Sequence, residues 1–360
     1  MVAKDIIAFT RGVPPAKSFP REELITCAER VILADSARIL QYGTGAGYRP
    51  LREYIASQHQ VSTDRILVGQ GSLQLLDHLC RVMLKQGDSV FIEQPTYDRT
   101  ITLFRRAGAK LVGFHLHLGQ MDLDKIQSAL EKGPVPRIFY VIPDFQNPAG
   151  STMSLDMRKD LIRLSNHYGF IIIEDSPYRQ LRYTGDPLPA LFDLAPDRVI
   201  YMSSFSKLIS PGLRTGYMVL REEMADAVIR FATDTYISPS MFDQAVVREF
   251  LNMGLLSDHL HHLKRIFYPR LQTLLDAMQN HLSPLGVWTK PQGGYFVGFF
   301  MNEELKPPSI NQADQFGLAL SHGEDFFIQP HYHFLRLPFC ALSQDQIEAG
   351  IHRLKELLLK

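Results

Sequence analysis

Short apolar runs alternate with amphipathic stretches through the first two thirds of the chain. Residues 88–93 (DSVFIE), 109–115 (AKLVGFH), 137–142 (RIFYVI), 170–174 (FIIIE), 198–202 (RVIYM) and 216–220 (GYMVL) are nearly continuous in apolar side chains, as strands buried on both faces are. A shorter run, ILV at 66–68, ends in a glycine-containing turn. Residues 72–85, 97–107, 123–131 and 155–168 carry apolar residues at three-to-four spacing, which predicts helices. Strand–helix alternation predicts an α/β fold whose mostly parallel sheet is covered on both faces. After Leu220 the pattern changes. Helices are predicted over 221–231, 241–252 and 255–281, strands over 286–288, 295–300 and 334–337, and a closing helix over 344–359. The expected organisation is a large unit of residues 46–255 and a smaller, discontinuous α+β unit of residues 1–45 and 256–360.

Charge and composition narrow the partners. The 38 basic and 38 acidic side chains balance, giving no electrostatic reason to expect nucleic acid or an anionic membrane. Cys27, Cys80 and Cys340 lie far apart and form no CxxC, a pattern that favours reduced thiols and a cytoplasmic setting. The stretch MVAKDIIAFTRG lacks the apolar core of a signal peptide, and no apolar run is long enough to span a bilayer.

The chemistry is concentrated after predicted strands. Behind RVIYM stands SSFSKLISPGLRTGY, which contains Ser203, Ser204, Ser206, Lys207 and Arg214. Such a lysine can form a Schiff base with an aldehyde. Hydroxyls and a guanidinium are the groups that surround a phosphate. Aldehyde plus phosphate describes pyridoxal 5'-phosphate. Alone the segment proves little, because a lysine after serines is common.

Four upstream segments add to it, each with an ordinary alternative. Gly69-Gln70-Gly71-Ser72-Leu73 joins a strand to a helix, where free backbone N–H groups bind phosphate; it also reads as a glycine turn with Ser72 as N-cap. Tyr97, in EQPTY, can lie flat on an aromatic ring or pack in the first turn of a helix. Asn147, in PDFQNPAG, precedes a proline and is held extended; its amide can donate to a phenolate oxygen, or the segment is a plain turn. Asp175, in EDSPY, is buried near a strand end and needs a cation or donors; a protonated pyridine nitrogen is such a partner. Tyr178 follows three residues later, within reach of the same ring oxygen as Asn147; the alternative is an N-cap Asp and a structural Tyr. Together these segments supply every group that one cofactor needs, in one order and at consecutive strand ends.

The set resembles the class I/II pyridoxal-phosphate aminotransferases of fold type I, closest to the subgroup of α-aminoadipate and kynurenine aminotransferases and the aminotransferase-like domain of MocR regulators. The resemblance runs from about Phe9 to the C-terminus. It implies a mostly parallel seven-stranded sheet between helices plus a smaller α+β domain. It also implies that Lys207 is the Schiff-base lysine, and that Ser204, Ser206, Arg214 and the Gly71–Ser72–Leu73 backbone hold the phosphate. Tyr97 would stack on the ring, Asp175 would pair the pyridine nitrogen, and Asn147 and Tyr178 would bond the ring oxygen. The segment QYGTGAGYRPLR resembles the one whose tyrosine, here Tyr42, reaches the phosphate across a homodimer interface. Arg336, in LRLPF, matches the arginine that binds the substrate α-carboxylate. The implied reaction moves an amino group from an L-amino acid to a 2-oxo acid by a ping-pong route.

The chain departs from the family near the substrate entrance. It is shorter before Ile7 and between Phe327 and Arg336, and Arg11 stands where many relatives carry a glycine, either to meet a second substrate carboxylate or simply on the surface. Phe9, Tyr42 and Tyr236 lean towards a large or aromatic substrate. The same constellation supports decarboxylation, elimination, cyclisation or oxidation. A ligand-sensing MocR-like domain is a further reading, disfavoured because no basic DNA-binding module precedes the fold. A metal enzyme is another: His115, His117, His331, His333 and the DHLHH segment supply histidines, without clear ligand spacing.

Overall fold

The computed structural model describes residues 6–331 and 333–360. In chain order the strands are β1 (Ile7–Phe9), β2 (Ile66–Gly69), β3 (Ser89–Gln94), β4 (Lys110–His117), β5 (Gln120–Met121), β6 (Ile138–Val141), β7 (Ile171–Asp175), β8 (Val199–Ser204), β9 (Gly216–Val219), β10 (Gly286–Trp288), β11 (Phe296–Met301), β12 (Leu318–Leu320) and β13 (Phe334–Pro338). The helices are α1 (Arg21–Ile39), α2 (Arg49–His59), α3 (Ser72–Met83), α4 (Asp98–Arg106), α5 (Leu123–Lys132), α6 (Leu155–Tyr168), α7 (Leu191–Leu194), α8 (Glu222–Tyr236), α9 (Met241–Asn252), α10 (Leu255–Leu282), α11 (Ile310–Gln315) and α12 (Gln344–Leu358).

The main sheet has the order β2-β9-β8-β7-β6-β3-β4-β5. The first seven are the strands that the apolar runs predict; β5 adds a two-residue antiparallel extension at the edge. Strands β4, β3, β6, β7 and β8 pair in parallel, whereas β9 is antiparallel to both neighbours. The apolar runs are long because both faces are covered. In β6, Ile138 and Tyr140 face one core cluster, with Leu76, Leu79, Ile101 and Phe104; Phe139 and Val141 face the other, with Phe91, Phe170 and Ile172.

The later part of the chain builds an antiparallel sheet, β10-β11-β13, with α12 packed on the long α10. Strand β1 pairs in parallel with β12, Ile7 opposite Leu318. That pairing lays residues 10–13 beside residues 321–326. Among the described residues, no helix is long and apolar enough to cross a membrane.

Candidate active site

Parallel strands present their carboxyl ends on one edge, and open α/β sheets bind ligands there. Tyr97 follows β3, Asn147 follows β6, Asp175 closes β7 and Lys207 follows β8. Strand β13 and the 10–13 and 321–326 segments close the other side. Between them lies a cavity of about 470 Å³. Gly71, Ser72, Leu73, Tyr97, Asn147, Asp175, Tyr178, Ser204, Ser206, Lys207, Arg214, Arg336 and Arg11 all line it. Tyr42 does not, and 76% of it is exposed.

One end is built for an anion. Helix α3 begins at Ser72 without a side-chain cap, leaving its first N–H groups free. Gly71 has φ of 89°, and a Cβ there would lie 2.5 Å from Arg214 Nη2, so the glycine lets the guanidinium approach the turn. Ser204 Oγ accepts from the Ser206 N–H, and the buried Ser206 Oγ has no partner.

Opposite lies Asp175, buried at the cavity wall. Its Oδ2 accepts a 2.6 Å hydrogen bond from Tyr140, while Oδ1 is buried without a partner. Burial pushes its pKa up to about 7, against the Tyr140 hydrogen bond, which lowers it. Tyr178 is buried edge-on to Tyr295 and Phe296.

Lys207 Nζ donates to the Gly12 carbonyl at 3.3 Å. Its pKa is lowered, chiefly by burial; Cys340 acts the other way, and Arg214 and Arg336 add to the lowering. Its backbone is fixed by Tyr295 Oη, which donates to the Lys207 carbonyl at 3.0 Å. Arg336 lies between two rings, its Cζ 4.9 Å from the centroid of Phe296 and 4.6 Å from that of Phe326. It donates to Asn147 Oδ1 (3.0 Å), the Thr10 carbonyl (2.5 Å) and Ser321 Oγ (3.2 Å), and its Nε is buried without a partner.

The loop that carries Asn147 is braced from below. Asp144, three residues earlier, receives Arg158 and Arg179, each at 2.9 Å, with Arg158 wholly buried. Gln146 Nε2 donates to the Pro95 carbonyl, and its Oε1 accepts from the Ala149 N–H. Glu93, also buried, accepts from Ile142 N–H and Gln146, and burial raises its pKa to about 8.

Phe9 and Tyr236, two of the three residues behind the aromatic lean, do not line the cavity: Phe9 is fully buried against Gly350, and Tyr236 packs on His78. Sequence reasoning missed Thr10, Gly12, Ser321 and Phe326, which act through backbone carbonyls or arrive by the β1–β12 pairing. It placed Tyr295 and Phe296 in a strand, with no sign that Phe296 lines the cavity or that Tyr295 holds the Lys207 carbonyl. Of the histidines, His115 and His331 sit 6.4 Å apart between ring centroids. Among the described residues, no group of three or more His, Cys, Asp or Glu is placed to hold a metal ion.

The sequence profile of aminotransferase class I and II matches residues 4–354. The chain belongs to the class I and II aminotransferases. It is 33% identical to aromatic-amino-acid aminotransferase 1 of Thermococcus litoralis, over 98% of this chain and 88% of the relative. Among solved structures, an α-aminoadipate aminotransferase of Thermus thermophilus, complexed with N-(5'-phosphopyridoxyl)-L-leucine, superposes with a TM-score of 0.92. The identity is 32%, over 98% of this chain and 92% of that one. A kynurenine aminotransferase of Pyrococcus horikoshii superposes at 0.94, with 32% identity over 99% and 91% of the two chains.

The aminotransferase fold is therefore fold type I, the cofactor is pyridoxal phosphate and the reaction is transamination between an amino acid and a 2-oxo acid. The cavity fits that cofactor on its own evidence. The unpartnered Asp175 Oδ1 suits a protonated ring nitrogen, and the unpartnered Ser206 Oγ and the α3 N-terminus suit a phosphate.

Proposed function

We propose that Lys207 is the covalent anchor and acid–base residue of this aminotransferase, acting on an L-amino acid whose α-carboxylate docks on Arg336. The observation that carries this reading is the position of Lys207: a half-buried lysine that lines the same cavity as Ser72, Arg214, Asp175 and Arg336, its Nζ donating to the Gly12 carbonyl. Gly71, Ser72, Leu73, Ser204, Ser206 and Arg214 would hold the phosphate, Tyr97 would cover the ring, Asp175 would pair its nitrogen, and Asn147 and Tyr178 would meet its oxygen. When bound, the cofactor supplies an electron sink for the carbanion formed at the substrate α-carbon.

The chain's own residues do the rest. Arg336 is pre-oriented by Phe296, Phe326 and Asn147, with the Nε–H still to be used, so a carboxylate displaces little to bind. With the cofactor held there, the Lys207 amine, its pKa lowered chiefly by burial, would be suited to take the substrate α-proton and to give it back during the reaction. Transfer of the amino group in two halves, one 2-oxo acid leaving before a second enters, would give ping-pong kinetics. Arg11, exposed and lining the cavity, would meet a second carboxylate on the substrate.

The working unit is proposed to be a cytoplasmic homodimer in which Tyr42 of one protomer reaches the phosphate end of its partner's cavity. Tyr42 is exposed beside other exposed apolar residues of the same region, Leu33 and Leu40. Residues 46–255 and the combination of 1–45 with 256–360 are proposed as the two domains. Borohydride reduction of the cofactor-loaded protein, followed by peptide mass spectrometry, tests the anchor. The reading expects the adduct on Lys207 and none in Lys207→Ala; an adduct on another lysine would overturn it.

A further inference from the structure

Asp175 has two oxygens in different situations, and the difference comes from a residue that the apolar pattern hides. Tyr140 sits in the middle of β6, in register with Ile173 of β7. Side chains alternate along a strand, so Tyr140, Ile173 and Asp175 share one face, and Tyr140 and Asp175 are diagonal neighbours. The face is apolar: Phe104 meets the Tyr140 ring edge-on, with a centroid separation of 5.9 Å. A phenol in such a place needs a partner for its O–H. Tyr140 Oη donates to Asp175 Oδ2 at 2.6 Å. It accepts in turn from Thr100 Oγ1 at 3.3 Å. Thr100 lies on α4, one turn after Tyr97, and is itself buried.

The chain of bonds has a direction. Thr100 fills the acceptor side of the phenol oxygen, so its hydrogen points to Asp175. One carboxylate oxygen is thereby occupied and the carboxyl plane is fixed, which leaves Oδ1 without a partner at the wall of the cavity. Burial raises the phenol's own pKa well above its ordinary value, so the tyrosine stays a donor at every working pH.

We propose that Tyr140, held as a donor by Thr100, is a positioning residue that keeps Asp175 ionised and aims its free oxygen at the ring nitrogen of the cofactor. This rests on the reading that Asp175 pairs that nitrogen. A hydrogen bond to a carboxylate favours its charged form. Without it, burial alone acts, and Asp175 takes up a proton at higher pH than in the native chain. Pairing with a protonated ring nitrogen needs the carboxylate, so the cost falls on cofactor binding at the acid side.

The test is the pH dependence of pyridoxal-phosphate affinity, measured by fluorescence titration of the refolded or resolved apoprotein, for native, Tyr140→Phe, Thr100→Val and Asp175→Asn chains. Thermal unfolding of each apoprotein checks that it is folded. In Tyr140→Phe the expected result is an acid limb moved up by about one pH unit, with affinity near pH 6 reduced about tenfold, the size of a lost hydrogen bond to a charged group. Thr100→Val moves the limb in the same direction by less. A loss of affinity that is uniform across pH in Tyr140→Phe, or an unmoved limb in both variants, overturns the proposal. Asp175→Asn separates the two layers: it should abolish the limb. If Asp175→Asn keeps the native limb, the pairing of Asp175 with the nitrogen is wrong; if it abolishes the limb while Tyr140→Phe leaves it in place, only the role of Tyr140 is wrong.

Discussion

Arg336 donates a 3.0 Å hydrogen bond to Asn147 Oδ1 and so ties strand β13 to the loop after β6. Two positions with separate proposed roles, one for the substrate carboxylate and one for the ring oxygen, therefore share a contact across the cavity. Arg336→Lys keeps the charge but loses the planar fork held between Phe296 and Phe326. The expected outcome is a KM for the amino acid raised about 100-fold with a smaller fall in kcat. Asn147→Ala should raise the same KM by about tenfold, a lost hydrogen bond to a charged group. The double variant should lose less than the sum of the two, which a double-mutant cycle on kcat/KM measures.

The Asp144 cluster predicts a stability effect outside the cavity. Arg158 is wholly buried and bonds Asp144 and the carbonyls of Pro143, Met153 and Pro189. Asp144→Ala leaves that guanidinium buried without its carboxylate. The expected loss is about 3–5 kcal/mol in chemical denaturation, the cost of removing one partner of a buried pair. The loop from Pro143 to Gly150 should become more susceptible to limited proteolysis in the same variant.

Buried carboxylates set the pH dependence of the apoprotein. Folding raises Glu93 from 4.5 to about 8, Glu174 from 4.5 to about 7 and Asp175 from 3.8 to about 7, each chiefly by burial. A raised folded pKa means that the folded state holds the proton more tightly. The stability it confers is complete below the unfolded values and is lost as pH rises through the folded ones. Apoprotein stability should therefore fall between about pH 5 and pH 8. Glu93→Gln preserves an acceptor for the Ile142 N–H and removes one of the three groups. It should flatten the fall by one proton, ~1.4 kcal/mol per pH unit, in denaturation curves across that range.

The readable part of this chain is the part in which chemistry is local in sequence. Lys207 stands a few residues from Ser204, Ser206 and Arg214, and each of these cavity-lining segments directly follows an apolar run, so strand prediction places it at the sheet edge. The helix over 155–168 and the one over 241–252 have the predicted ends, because Ser154 and Ser240 cap them. The unreadable part depends on distant segments meeting. Thr10 and Gly12 contribute backbone carbonyls, which carry no side-chain signal, and Ser321 and Phe326 arrive by the pairing of β1 with β12. Tyr140 sits inside RIFYVI and reads as core; only the register of β6 on β7 brings it to Asp175. Phe9 shows the converse: it stands beside a cavity-lining segment in sequence, yet it packs into the core and does not line the cavity.

The most direct measurement is a single half-reaction. Cofactor-loaded protein is mixed with a ¹⁵N-labelled L-amino acid in the absence of any 2-oxo acid, and the products are counted per site. The account predicts one equivalent of the corresponding 2-oxo acid, the label retained on the protein-bound cofactor amine, and its transfer to a new amino acid when a second 2-oxo acid is added. In Lys207→Ala the same mixture should give no oxo acid on that timescale. Release of carbon dioxide or labelled ammonia, or turnover beyond one equivalent without an acceptor, would contradict the account and assign the chain a different reaction on the same cofactor.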